Sequence, residues 1–308
     1  MTKVLISDRT HEVLEQKLRN AGFEVSVEPG HDYESLIAAA RGCDGLVVRS
    51  KVVVDRAFID RVPSLRCIGR VGAGMETIDV EYAESKGVRC LNSPEGNRDA
   101  VGEHTVGLLL ALLNNIARAD AEVRRGQWRR EESRGYELGN LTVGIVGYGN
   151  MGHAFAQRLS GFGCRVVAYD KYNTPEGIEA VSLEELQEVA DVVSFHVPLT
   201  DETRHYLDAG FIASMRKPFF LLNTSRGAVV DTVALAQGLE EGKVRGAALD
   251  VLEYEDMTKD GLADAPEPMQ YLLRSDRTVL TPHVAGWTVE SKYKLAAVLA
   301  DKIIDVLK

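Results

Sequence analysis

The chain has 308 residues, 45% hydrophobic and 6% aromatic, enough to bury the cores of two domains or one large one. With 46 Asp and Glu against 36 Lys and Arg, the formal net charge is −10, which argues against nucleic acid or an anionic membrane surface as the main partner. A few local arginines can still override that field for a small anionic substrate.

In chain order, strands and helices alternate from the start. KVLIS at Lys3 reads as a strand, His11 to Ala21 as a helix ended by Gly22, and FEVSV as a second strand. A helix follows from Asp32 to Ala40, then the strand Gly45 to Val48, the strand RCIG, a helix near Val80 to Lys86, and VRCLN. The strands are short and apolar on both faces, which predicts a parallel sheet covered on both sides. One long helical run is expected from about Asp99 to Arg125, apolar first and charged later. Alternation then resumes with TVGIVG, a helix after Asn150, RVVAYD, VVSFHVP, FFLLNT, GAALDVL and TVLTP, and a C-terminal helix spans Val289 to Leu307. The expected fold class is α/β, with two doubly wound Rossmann-like domains. The coenzyme domain (98–286) is inserted in a flavodoxin-like substrate domain (1–97 and 287–308).

The four cysteines, Cys43, Cys67, Cys90 and Cys164, are scattered with no CxxC pair and read as reduced, buried thiols. MTKVLISD enters a strand at once, and the longest apolar run, Val106 to Leu113, is too short to span a bilayer. A soluble, cytoplasmic protein with no membrane partner is expected. No His/Cys/Asp cluster has metal-ligand spacing, so no metal is expected.

TVGIVGYGNMGHAF, from Thr142 to Phe155, carries the first chemistry. Three glycines at G-x-G-x-x-G spacing follow a strand and open a helix, and Asp170 ends the next strand, about 20 residues on. Gly147 permits the tight turn, Gly149 lets the backbone approach a pyrophosphate, and Gly152 lets helix and strand pack closely. The N–H groups of Asn150 and Met151, at a helix N-terminus, face an anion. Asp170 suits the hydroxyls of an adenosine ribose and would repel a 2′-phosphate, although Lys171 follows it. A dinucleotide, NAD in preference to NADP, is the expected cofactor.

Further stretches extend this reading: LVVRS (46–50), GRVGAGMETID (69–79), PEGNRDAVGEH (94–104), GQW (126–128), LLNTSRGAVVD (221–231), GAALDVLEYE (246–255) and TPHVAG (281–286). Through them the chain resembles the D-isomer-specific 2-hydroxyacid dehydrogenases over nearly its whole length. The resemblance implies an NAD-dependent oxidoreductase acting on a D-2-hydroxy acid or 2-keto acid, and a homodimer formed through the coenzyme domain. It assigns the catalytic roles to Arg226, Glu255 and His283. It places Val197, Pro198, Thr224, Ser225, Asp250 and Gly286 around the nicotinamide and its ribose. It makes the amides of Val71, Gly72, Ala73 and Gly74 a cradle for the substrate carboxylate, with Arg49, Ser50 and Asn97 facing the substrate.

The residue types suit that chemistry. Reducing a 2-keto acid by hydride requires a proton for the developing alkoxide, which histidine supplies near neutral pH. A carboxylate bonded to the ring favours the imidazolium and fixes its tautomer. Arginine bridges the substrate's carboxylate and carbonyl oxygens with a two-pronged fork. Each type also has an ordinary structural use: Arg226 as a surface ion-pair partner, Glu255 within a solvated EYED face, His283 as a hydrogen-bonded loop histidine.

In the resembling phosphoglycerate enzymes an arginine matching Arg49 helps hold the phosphate; the competing possibility is an ion pair with an acid at the domain edge. Two departures bear on substrate identity: the stretch DMTKDGLADAPEPMQYLLRSDR after Glu255, and the bulk of Trp287. 3-Phosphoglycerate is the first substrate expected. A glyoxylate or hydroxypyruvate reductase, and a coenzyme-sensing corepressor-like protein, are the alternatives.

Overall fold

A computed structural model describes residues 1–49, 51–255, 262 and 264–308. The chain divides into two compact units, Met1–Arg98 with Trp287–Lys308, and Asp99–Gly286. Ser50 and most of DMTKDGLA lie outside the described residues.

The first unit runs β1 (Lys3–Ile6), α1 (Val13–Asn20), β2 (Glu24–Val27), α2 (Tyr33–Ala40), β3 (Gly45–Val48), α3 (Arg56–Arg61), β4 (Cys67–Arg70), α4 (Val80–Ser85) and β5 (Arg89–Leu91). Its strands pair in parallel in the order β2-β1-β3-β4-β5, so the winding reverses between β1 and β3. In open α/β sheets ligands bind beyond the carboxyl ends of strands at such a reversal. Arg49 is the first residue past the end of β3.

Helices α2, α3 and α4, which share one core cluster, are started by side-chain caps. Asp32 and Ser35 form a reciprocal capping box for α2, while Asp55 and Asp79 accept from Phe58 and Tyr82 amides to open α3 and α4.

The second unit contains α5 (Arg98–Leu113), α6 (Ile116–Arg124), β6 (Thr142–Val146), α7 (Asn150–Leu159), β7 (Arg165–Tyr169), β8 (Glu179–Ala180), α8 (Leu183–Val189), β9 (Val192–Phe195), α9 (Ala209–Ser214), β10 (Phe219–Asn223), α10 (Thr232–Glu240), β11 (Val244–Leu249), α11 (Glu267–Arg274) and β12 (Thr278–Leu280). Its parallel order is β12-β11-β10-β9-β6-β7-β8, with the reversal between β6 and β9. Leu221, Val193, Phe195, Ala247 and Leu249 fill one face of this sheet with α8 to α11. Each fully buried Leu or Phe contributes roughly 1.5–3 kcal/mol.

The last helix, α12 (Val289–Leu307), returns to the first unit. Leu299, Ile303 and Leu307 pack so closely on the sheet that β-carbons on Gly45 and Gly69 would lie 3.1 and 3.0 Å from them. Gly96 is tighter still: its β-carbon would meet the Leu295 backbone nitrogen at 2.5 Å. The second unit is therefore an insertion within the first.

One detail differs from the sequence reading. The run expected as one helix from Asp99 to Arg125 is two helices, α5 and α6, meeting at 61°. Asn115, between them, adopts a left-handed conformation at φ 53°, which breaks the helical ladder and which Asn tolerates better than most residues. Of the stretch after Glu255, Leu262 and the residues from Asp264 on are described. Its later part is α11, where Met269 and Leu272 join the core of the second unit.

Candidate active site

The coenzyme turn sits at the reversal between β6 and β9. Gly147 adopts φ +90°, and a β-carbon there would lie 2.7 Å from the His196 carbonyl oxygen and 2.8 Å from Val197 Cγ1. Gly152 faces the Gly147 carbonyl so closely that a β-carbon would lie 2.2 Å from it. Nothing approaches within 4 Å of a β-carbon built on Gly149, so the turn is open where a pyrophosphate must come in. The first turn of α7, with Asn150 and Met151, has no side-chain cap, which leaves its amides for an anion. These features fit a dinucleotide. Pro198, beyond β9, is exposed and its carbonyl accepts from Thr203.

Asp170 ends β7 beside this turn. Its carboxylate accepts from the amides of Tyr148 (2.8 Å), Asn173 (2.9 Å) and Tyr172 (3.0 Å). Partial burial opposes ionisation, but those amides outweigh it and hold the carboxyl below the usual range. Lys171 does not face Asp170's ligand side unopposed: its ammonium bonds Glu202 at 2.8 Å and lies over the Tyr172 ring. The buried His196 bonds Ser194 at 2.8 Å through Nε2, and burial pushes its pKa down to about 3.

The catalytic candidates stand on three neighbouring strands. Asn223 pairs with Leu249, and Leu249 with Leu280, so the loops after β10, β11 and β12 emerge side by side. The first carries Arg226, the second Glu255, the third His283. His283 Nδ1 and Glu255 Oε1 are 2.8 Å apart, while Glu255 Oε2 accepts from the Leu252 amide at 3.1 Å. With Nδ1–H donated to Glu255, the proton offered to a substrate sits on Nε2. Arg226 is half-buried, with Nη1 donating to the Ser225 carbonyl at 2.6 Å.

The backbone places these groups under constraint. His283 is left-handed, at φ 54°, a costly conformation for a side-chain-bearing residue that surrounding bonds must hold. Its amide donates to the Asp250 carbonyl at 2.7 Å. The Asp250 carboxylate, 1% exposed, accepts from Thr281 Oγ1 (2.6 Å), Ala285 N (2.8 Å) and Val284 N (2.9 Å). Both its oxygens thus hold the His283 loop. His104 supports the same group through Thr281 at 3.1 Å.

Thr224 and Ser225 are likewise buried. Their hydroxyls bond Thr105 at 3.1 Å and Asn223 at 2.7 Å, so in this structure they organise the loop. Gly286 ends the unit.

Sequence reasoning overlooked a brace behind the loops. Glu253 Oε2 accepts from the Thr232 amide at 3.0 Å, and Oε1 lies 2.5 Å from His205 Nε2. Burial works against its ionisation, but the bonds from Thr232 and His205 keep its carboxyl below the ordinary range. His205 in turn donates its amide to Ala228, joining the Arg226 loop to the Glu255 loop. The available signal was the second acid in LEYE, two residues before Glu255.

The first unit holds the other candidates. Arg49 makes no ion pair among the described residues; its guanidinium lies over the Trp287 ring, 5.0 Å from the centroid. Val71 donates its amide to the Val48 carbonyl at 3.1 Å, so it continues the sheet and drops out of the expected cradle. Gly72, Ala73 and Gly74 have no acceptor for their amides among the described residues. Gly72 adopts φ +155°, and its α-carbon is overlain by Arg70, an arginine the sequence reading passed over. Asn97 Oδ1 is buried without a hydrogen-bond partner among the described residues. Ser50 lies outside the described residues. Among those residues no group of three His, Cys, Asp or Glu side chains is arranged to hold a metal, and no single helix is long and apolar enough to cross a membrane.

Fold and turn together define a Rossmann-type dinucleotide-binding unit. Residues 106–285 match the domain family described as "D-isomer specific 2-hydroxyacid dehydrogenase, NAD binding domain". A D-3-phosphoglycerate dehydrogenase of Methanocaldococcus jannaschii is 37% identical across 100% of this chain and 58% of its own. A hydroxypyruvate reductase of Thermotoga maritima is 35% identical across 99% of this chain and 98% of its own. A D-lactate dehydrogenase of Aquifex aeolicus, solved with NAD and lactic acid, superposes with a TM-score of 0.82 at 27% identity, covering 99% of this chain and 94% of that one.

The chain belongs to the D-isomer-specific 2-hydroxyacid dehydrogenase family, and its coenzyme is NAD. It spans 58% and 57% of the length of the first two phosphoglycerate dehydrogenases it resembles.

Proposed function

We propose that the protein transfers a hydride between NAD(H) and a D-2-hydroxy acid or its 2-keto acid, with 3-phosphoglycerate the first substrate to test. The observation that carries this reading is the 2.8 Å bond between His283 and Glu255, on the strand-end loops next to that of Arg226. Bound in the coenzyme turn, NADH would supply the hydride for the keto carbon. Arg226 presents its fork to the carboxylate and carbonyl oxygens and draws charge toward the oxygen. His283 gives its Nε2 proton to that oxygen as negative charge develops, and Glu255 stabilises the imidazolium beforehand. In the reverse direction His283 takes the hydroxyl proton back.

The phosphoglycerate dehydrogenase relatives, and Arg49 with no ion pair among the described residues, support a phosphorylated substrate; the hydroxypyruvate reductase relative supports the smaller keto acids as the second reading. A panel of 3-phosphohydroxypyruvate, hydroxypyruvate, glyoxylate and pyruvate, with NADH and NADPH, tests it. Turnover of one or more with NADH is expected. Coenzyme binding without turnover of any would favour a sensor instead.

We place the protein in the cytoplasm as a homodimer. Free cysteines suit a reducing compartment, and exposed Ile116, Val123 and Trp128 on and beside α6 supply apolar area for a partner copy. Light scattering in solution checks the dimer.

A further inference from the structure

We infer that Glu253 is a positioning residue for the proton donor: as the second acid of the 252–255 turn it keeps Glu255 on His283, and through His205 it ties that turn to the loop that carries Arg226. The inference deepens the function proposed above and rests on it.

Residues 252–255 close a turn after β11. The Glu255 amide donates to the Leu252 carbonyl at 3.1 Å, and the Leu252 amide donates back to Glu255 Oε2 at 3.1 Å. Closed in this way, the turn moves as one body and carries its two acids together. Each acid is paired with a histidine from a different part of the chain: Glu255 with His283 at 2.8 Å, Glu253 with His205 at 2.5 Å. The first pair holds the proton that the reaction needs. What the second pair does follows from where its bonds end.

Glu253 Oε2 accepts from the Thr232 amide at 3.0 Å, where α10 begins, and Oε1 accepts from His205 Nε2. His205 is fixed through its backbone. Its amide donates to Ala228 at 2.8 Å, the Leu207 amide to Val229 at 3.1 Å, and the Asp231 amide to Leu207 at 2.9 Å. The 205–207 segment therefore lies along the residues just past Arg226. His205 is left-handed at φ 53°, a costly conformation for a residue with a side chain, and these bonds maintain it.

A turn attached to its strand at one end can pivot there, and Glu255 at the far end swings furthest. A second attachment at Glu253, two residues away, removes that freedom. Stability of the fold does not account for the arrangement. The His205 side chain is 40% exposed, and a pair with one partner so open to water adds little to stability. Glu253 is nevertheless drawn in to 14% exposure, below the 26% of Glu255, to meet partners that flank the catalytic loops.

The test is a double-mutant cycle on reduction of hydroxypyruvate by NADH. Alone, Glu253→Ala should lower kcat about 10-fold, less than the roughly 100-fold of a 1 Å misplacement, with NADH affinity within about twofold of wild type. In a Glu255→Ala background, where no carboxylate remains to position, the same substitution should cost less than about threefold. Glu253→Gln keeps the size and can accept from Thr232 while donating to a His205 ring protonated on Nδ1. It should recover about threefold or more over Glu253→Ala. Equal losses in both backgrounds, or Gln no better than Ala, overturn the inference.

A second readout needs no turnover. An imidazole N–H bonded to a carboxylate is held strongly and gives a far-downfield proton resonance. The resonance that disappears in His283→Ala reports the bond to Glu255. It should persist in Glu253→Gln and broaden away in Glu253→Ala; an unchanged resonance in Glu253→Ala overturns the inference. If no 2-keto acid is reduced, the proposed function fails, and this resonance alone then upholds or overturns the role of Glu253.

Discussion

Gly227 and Leu252 meet backbone to backbone: a β-carbon on Gly227 would lie 2.0 Å from the Leu252 carbonyl oxygen. This contact sets the Arg226 loop against the loop that ends in Glu255. Gly227→Ala must push the two apart, and misplacement of reacting groups by about 1 Å costs on the order of 100-fold in rate. We expect kcat to fall at least 10-fold with NADH affinity little changed, because the coenzyme turn lies on other strands. Gly161→Ala, with open space around its β-carbon, is the matched control. Steady-state kinetics alongside coenzyme fluorescence titration reads both.

Asp250 is the buried anchor of the His283 loop. Asp250→Asn keeps the size but turns an amide group toward donors that need acceptors. A buried donor left unsatisfied costs about 1–3 kcal/mol, so urea unfolding should show a loss of that order. Turnover should fall as well, since Val284 and Ala285 then lose a fixed acceptor next to the proton donor. Wild-type stability and activity in this variant would remove Asp250 from the account.

Coenzyme choice follows from Asp170 and Lys171. The Asp170 carboxylate ends β7 beside the coenzyme turn, where a ribose edge is expected, and Glu202 pairs with the lysine that could have welcomed a 2′-phosphate. Wild type should favour NADH over NADPH in kcat/KM. Asp170→Ala should narrow that preference, and Glu202→Gln should narrow it less, because an exposed ion pair is a weak restraint. Equal kcat/KM for the two coenzymes in wild type would contradict the assignment.

Acid should act on the fold through His196. Its folded pKa of about 3 lies below the ordinary value of 6.5, so the unfolded chain binds the extra proton between those limits. Stability from this group is complete above pH 6.5 and is lost as pH falls toward 3, with a slope approaching about 1.4 kcal/mol per pH unit. His196→Gln, which retains a partner for Ser194, should show a shallower fall in urea midpoint between pH 6.5 and 4.5. An identical pH dependence in the variant would mean that His196 already protonates in the fold.

Much of this was legible because the strand-end residues carry strong local signals. The glycines of the β6–α7 turn are demanded by backbone contacts closer than 3 Å at Gly147 and Gly152, so their spacing reported real geometry. Alternating apolar runs sufficed for two parallel sheets. The bend at Asn115 was not legible, because a single left-handed residue leaves hydrophobic periodicity nearly intact. Glu253 and His205 lie 48 residues apart, and no local pattern joins them. Nor does sequence show that Asp250 turns inward to hold a loop or that Trp287 lies under Arg49, since both are side-chain choices made in tertiary packing.

The most direct test of the account is single-turnover oxidation of bound NADH by a reactive 2-keto acid in His283→Ala, set beside NADH affinity in the same variant. The account predicts a rate lower by about 10²- to 10⁴-fold, the usual worth of a positioned proton donor, with affinity within about twofold of wild type. A rate within threefold of wild type at unchanged affinity would contradict it, because the proton would then come from somewhere other than His283.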